Sequence, residues 1–135
     1  MQRQYFTVDE INRLIPRLEE LVFEIFEVHR QLVQLERALE DVVAPRANGN
    51  GFRLTQESQA RTMQEEVERV IARFQQLVQE VADLGGELKD PEMGLVDFRA
   101  LRQGREVYLC WRMGEPECTW WHDLETGFAG RQPVE

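Results

Sequence analysis

Along the first two thirds of the chain, apolar residues recur at alternating spacings of three and four. Ile11, Leu14, Leu18, Leu21, Ile25, Val28, Leu32, Leu35, Leu39 and Val42 make one ladder; Ala60, Met63, Val67, Val70, Phe74, Leu77, Val81 and Leu84 make another. This is the a/d seam of long helices lying side by side. Beyond residue 86 the period changes to the alternation of strands. The pattern predicts an α+β fold, mainly α: a long antiparallel helical hairpin, coiled-coil-like, followed by a small three-stranded antiparallel meander, all in one domain over 1–135.

The helix ends carry their own signals. Thr7 followed by Glu10 forms a capping box, with Phe6 at the position of a hydrophobic staple. Asp9 and Glu10 also complement the positive end of the helix dipole. Helix one is therefore predicted over 8–43, with Pro16 either kinking or breaking it. Residues 44–54 contain Pro45, Asn48-Gly49 and Asn50-Gly51 and read as a loop. Thr55 is the predicted cap of helix two over 55–84, which Gly85-Gly86 stops.

Both helices carry more apolar surface than their seam needs. Ile15, Val22, Phe23, Phe26 and Val33 widen the face of helix one, and Ile71 and Val78 that of helix two. One partner helix does not cover a face so broad. The C-terminal segment or a second hairpin must do so, and a homodimer forming a four-helix bundle is the favoured expectation. His29, among these flanking positions, reads as an interface histidine. The reading as a metal ligand or pH switch has no second His or Cys at helical spacing to support it.

In the C-terminal third, 95–101, 106–113 and 118–122 alternate as strands, giving a meander over 95–122 and an irregular tail over 123–135. Arg102–Arg105 and Gly114–Glu117 are the turns. With two central residues in each turn, Phe98 faces Leu109, which faces His122, and Asp97 faces Cys110, which faces Trp121. The first set lies on a nearly all-apolar face, to be packed on the helices. The second lies on a mostly polar one. In this register Cys110 and Cys118 point oppositely, and Cys118 and His122 stand about 13 Å apart at 3.3 Å per residue. A zinc site or a disulfide is therefore not expected, nor is any cofactor. A carboxylate-bridged metal centre in the helices is rejected because their inward positions are apolar.

Charge narrows the partners. A net charge of −9 argues against a nucleic-acid binder or an anionic membrane surface. No apolar run reaches the length of a membrane span, and the first ten residues lack the apolar stretch of a secretory signal. Two cysteines make no disulfide framework, so a cytoplasmic protein with reduced thiols is expected. Chemistry, if any, falls to the polar residues of the meander. Glu115, Glu117 and His122 near the second hairpin, with Arg112 and Arg131, are raw material for acid–base work or binding. Against this, Gly114-Glu-Pro-Glu117 reads simply as a turn, with His122 a rim histidine beside Trp111 or Trp120. Trp121 with Tyr108, Arg99 and Arg112 is the candidate surface for a small anionic or planar ligand.

Taken as a block, Gly94-Leu-Val-Asp-Phe98, Gly104-Arg-Glu-Val-Tyr-Leu-Cys-Trp-Arg112, Gly114-Glu-Pro-Glu117, Trp121-His122 and Gly127-Phe-Ala-Gly-Arg131 resemble a bacterial family, domain of unknown function 2203. The opening Tyr5-Phe-Thr-Val-Asp-Glu10 and the later Pro16 do so as well. The resemblance implies a small bacterial protein whose signature is its C-terminal third; it brings no activity, substrate or cofactor. Two functional readings follow. The favoured one is a homodimeric interaction module, assembled through the hairpin and presenting the meander to a protein partner. The other is a small-ligand-binding protein or enzyme, which requires the polar residues above to converge on one pocket.

Overall fold

A computed structural model describes residues 4–44 and 53–135, so 45–52, most of the loop predicted at 44–54, lies outside the described residues. Two helices come first, α1 (Val8–Val43) and α2 (Arg53–Asp83). A five-stranded antiparallel sheet follows in the order β1-β2-β3-β4-β5: Glu87–Asp90, Leu95–Arg102, Arg105–Arg112, Trp120–Asp123 and Gln132–Pro133. The fold is thus α+β, mainly α. No helix is long and apolar enough to cross a membrane among the described residues. The chain divides into two compact units, one of residues 1–26 with 77–135 and one of 27–76.

In the first unit the helix termini are built as their residues dictate. Thr7 Oγ1 accepts from the Glu10 N–H at 3.2 Å while Glu10 Oε1 accepts from the Thr7 N–H at 3.0 Å, a reciprocal capping box. Phe6 docks edge-on against Phe98, ring centroids 5.2 Å apart. α1 runs unbroken through Pro16, so the alternative of a break is excluded. The buried neighbours Ile15 and Leu18 hold the helix together there against the missing N–H. α2 ends in a Schellman motif: the Gly86 N–H bonds Val81 O at 3.1 Å and the Gly85 N–H bonds Ala82 O at 2.9 Å, with Gly85 at φ +100°. At its other end α2 begins at Arg53, so Thr55 lies inside its first turn and is not its cap. Arg and Leu at 53 and 54 are good helix formers, which lets the helix start earlier.

The strands pair β2 with β3 as the alternation predicts, Phe98 opposite Leu109 and Asp97 opposite Cys110. The pairing of β3 with β4 differs by one residue: Leu109 faces Trp121, Tyr108 faces His122, and Cys110 faces Trp120. The connection at 113–119 is longer than a two-residue turn and is pinned at several points. Trp111 Nε1–H donates to Glu115 O at 2.9 Å, the Arg112 N–H to Glu115 Oε1 at 2.6 Å, and the Cys118 N–H to Asn12 Oδ1 at 2.8 Å. The shift moves Trp121 onto the face of Val96, Phe98, Val107, Leu109 and Trp111, and moves His122 onto the opposite face. The apolar face closes on the helices. A Cβ at Gly86 would lie 2.7 Å from Val96, and one at Gly94 only 2.7 Å from Phe26 and 2.8 Å from Val22. Two strands escape the sequence pattern. β1 is short and polar, and β5, inside the predicted irregular tail, is two residues long and includes Pro133.

In the second unit the helical segments also lie side by side and antiparallel. His29 of α1 stacks at 6.3 Å on Phe74 of α2, as an interface histidine would. Val67 and Val70 are the only residues it buries among those described.

Two substitutions test the helix assignments by chemical denaturation. Gly85→Ala forces a left-handed φ and places a methyl 2.1 Å from Phe6 Cζ; a loss of about 2–4 kcal/mol is expected. Pro16→Ala restores the backbone N–H in an exposed turn and is expected to stabilise by about 1–2 kcal/mol, after allowing for the more flexible unfolded chain.

Candidate functional site

Three adjacent strands each contribute one side chain to a single buried cluster on the sheet's polar face. Asp97 on β2 stands opposite Cys110 on β3, and His122 on β4 reaches across β3 to meet Asp97. His122 Nε2 lies 2.9 Å from Asp97 Oδ2. One ligand-type atom from each residue falls within 4.8 Å of the others. All three are closed off from solvent, with Asp97 2%, Cys110 0% and His122 1% exposed. This juxtaposition depends on the β3–β4 register. In the register predicted from sequence His122 would face the helices.

The hydrogen bonds fix the state of the imidazole. His122 Nδ1 lies 2.7 Å from Asp123 O, a carbonyl that can only accept, so Nδ1 carries a proton. Nε2 then faces the Asp97 carboxyl with one proton between them. The second carboxyl oxygen, Asp97 Oδ1, is buried without a hydrogen-bond partner. Burial pushes the Asp97 carboxyl above its ordinary pKa, while His122 beside it pulls in the opposite direction. Burial also pushes both thiols up, Cys110 strongly, with the Asp97 carboxylate adding to the effect, and Cys118 to about 11. Both cysteines are free. A buried, protonated Cys110 is no nucleophile as it stands, since the thiolate is the reactive species.

Side chains frame the cluster. The Tyr108 ring lies 5.4 Å from that of His122, its hydroxyl donates to Glu87 Oε1 at 3.1 Å, and Lys89 and Arg99 flank it at 4.6 and 5.1 Å. On the other side, Arg131 donates from Nη2 to Cys110 O at 3.2 Å and to Glu115 Oε1 at 2.7 Å. Its guanidinium lies between the Trp120 and Phe128 rings, at 5.1 and 4.9 Å.

The residues singled out from sequence separate into groups. Glu115 and Arg131 do meet, and Arg112 lies near them with its guanidinium 5.9 Å from the Phe128 ring. Arg99 and Tyr108 share the polar face, where Glu87 engages both. His122 is buried with Asp97 rather than placed at a rim beside Trp111 or Trp120. Trp121 is on the opposite face under Arg102 and Arg105, at 4.7 and 5.9 Å. It therefore makes no ligand surface with Arg99, Tyr108 and Arg112. Glu117 is exposed and lines a shallow groove of about 270 Å³ with Val8, Cys118, Thr119 and Trp120. Among the described cavities, none gathers them. Asp97 and Cys110 were missed as site residues because the assumed second turn carried His122 to the other face.

A family model described as an uncharacterised conserved protein family, DUF2203, matches residues 4–134. The chain belongs to that family. No curated protein and no solved structure matches it.

The Asp97–His122 pair predicts a selective instability. His122→Ala leaves the Asp97 carboxyl buried with neither oxygen partnered by the ring, and a loss of about 3–5 kcal/mol is expected. His29→Ala, at a half-buried position beside Phe74, is expected to cost less. Urea unfolding followed by far-UV circular dichroism measures the difference, and a loss below about 1 kcal/mol would show the pair to be dispensable.

Proposed function

We propose that this member of an uncharacterised family is a homodimeric interaction module that assembles through the helical segments of residues 27–76. The observation that carries the reading is a deficit of burial. Residues 27–44 include the seam positions Val28, Leu32, Leu35, Leu39 and Val42, yet none of them is buried. By contrast, the same ladder in the sheet-bearing unit buries Ile11, Leu18, Leu21 and Ile25. Two helices alone cannot cover a face of this width, and a four-helix bundle is the standard remedy.

A second copy is the occupant favoured here. It offers the same half-covered ladder at the same spacing, and a two-fold axis pairs each such surface with itself. Val33, half-buried beside the seam, and Val43, 61% exposed, extend the apolar surface a copy would cover. With a net charge of −9 on each chain, added salt should strengthen the association by screening copy-to-copy repulsion. The sheet would then be left to present its polar residues to a protein partner. Two free cysteines suit a reducing cytoplasm as the place where this happens.

Sedimentation equilibrium tests the reading. At protein concentrations on the order of 10 μM a mass twice the 15.9 kDa of one chain is expected. Val33→Glu should weaken the dimer about tenfold or more while helicity is kept. A wild-type protein that sediments as a single chain under these conditions overturns the proposal.

A further inference from the structure

We propose that Asp97, Cys110 and His122 form a binding site for a divalent, borderline-soft transition-metal ion, with zinc as the expected occupant. The inference is independent of assembly and rests on the sheet alone. Three features of the cluster point to a ligand rather than to a packed core.

The first is the donor set. A thiol sulfur, an imidazole nitrogen and a carboxyl oxygen, one from each of three neighbouring strands, fall within 4.8 Å of one another. Zinc binds these three donor types at roughly 2.0–2.3 Å, so ligands around one ion stand closer to each other than that limit. The Nε2 to Oδ2 separation is already 2.9 Å. Soft sulfur together with imidazole selects against magnesium and calcium, which take oxygen ligands.

The second is the orientation of His122. Its Nδ1–H is committed to Asp123 O at 2.7 Å, which turns Nε2 toward Asp97 and the rest of the cluster. A metal-bound histidine is held in the same way, its remote N–H donated to a carbonyl so that the other nitrogen presents its lone pair to the ion. The third is an unspent acceptor. Asp97 Oδ1 is buried with no partner at ordinary hydrogen-bond distance on a residue only 2% exposed, and the carboxyl's other contacts, His122 and the Cys110 thiol, lie within the cluster itself. Buried polar atoms in proteins are nearly always bonded, so an orphan inside such a donor cluster asks for a ligand.

The charge count closes without help from outside. Without an ion, the thiol is neutral and one proton is shared by His122 and Asp97. On binding, that proton and the Cys110 thiol proton leave to solvent. The dication then faces a thiolate, a carboxylate and a neutral imidazole. The cluster is electrically neutral before and after, which a buried site requires. Arg131 remains neutralised by Glu115 at 2.7 Å and lies beside Cys110, where it favours the thiolate form. Three protein ligands leave the fourth tetrahedral position for a small molecule, the arrangement of zinc sites that do more than hold a fold together.

Cobalt(II) and zinc are the probes. Titration of the full chain with cobalt(II) should give one equivalent bound, with a sulfur-to-cobalt charge-transfer band in the near ultraviolet that zinc then abolishes by displacement. Cys110→Ser should remove the band and weaken zinc binding about 100-fold, whereas Cys118→Ser should leave both unchanged. Should Cys110→Ser fail to fold, X-ray absorption of the zinc-loaded wild type decides instead. One sulfur at about 2.3 Å with nitrogen and oxygen neighbours supports the site, and a shell without sulfur overturns it. Absence of stoichiometric binding by the wild type, or a band lost in Cys118→Ser and kept in Cys110→Ser, overturns it equally.

Discussion

Strand residues alternate between the two faces of a sheet, so the register of β4 against β3 chooses the face for every side chain that β4 carries. With Leu109 opposite Trp121, the indole joins the apolar layer of Phe98 and Trp111. The same pairing sets His122 beside Asp97 and Cys110. A step of one residue would bury the imidazole among Phe98, Leu109 and the helices, and would send Trp121 out among Arg99 and Tyr108. Core and candidate site are thus two consequences of one alignment. The connection at 113–119 enforces it through the Trp111 indole, the Glu115 carboxylate and Asn12 of α1.

Buried polarity of this kind is not a cheap way to stabilise a sheet. A buried ion pair replaced by apolar residues of similar size often leaves a protein equally or more stable. Three apolar side chains at positions 97, 110 and 122 would serve a sheet that needed only to stay folded. The cluster instead removes a carboxyl and an imidazole from water and leaves one oxygen without a partner. Arg131 repeats the theme at the edge, with its Nη2 engaged twice and its Nε buried and unbonded. Such arrangements are where chemistry or ligand binding is to be sought.

Much of the architecture was legible because its signals are local or strictly periodic. The heptad ladders are strictly periodic, while the Thr7–Glu10 box and the Gly85-Gly86 stop act within a few residues and appear in the structure with their hydrogen bonds. The first hairpin was equally legible, since a two-residue turn at Gln103-Gly104, with φ of 54° and 78°, leaves only one register. The second was not. Gly114-Glu-Pro-Glu117 resembles a turn, but its geometry depends on contacts made over long sequence distances, such as Asn12 with Cys118. The two-residue turn assumed there set Trp120 on the apolar face, whereas the observed pairing turns its neighbour Trp121 inward instead. β1 and β5 were missed for a simpler reason: their backbones join the sheet while their side chains, in Glu87–Asp90 and Gln132–Pro133, carry no alternation to read.

The two units leave opposite deficits. Along residues 27–76 apolar side chains have too little cover, and on the polar face of the sheet titratable side chains have too much. Hydrophobic burial is non-directional and scales with area, so the first deficit is met by any surface of the right shape, and a copy of the chain carries one. Buried donors are directional and few, so the second is met only by a partner with the right charge and coordination, and a small cation has both. The two proposed partners would therefore answer to different physics. Salt and protein concentration would govern the proposed dimer, thiolate formation and ion availability the proposed metal site, and neither proposal presupposes the other.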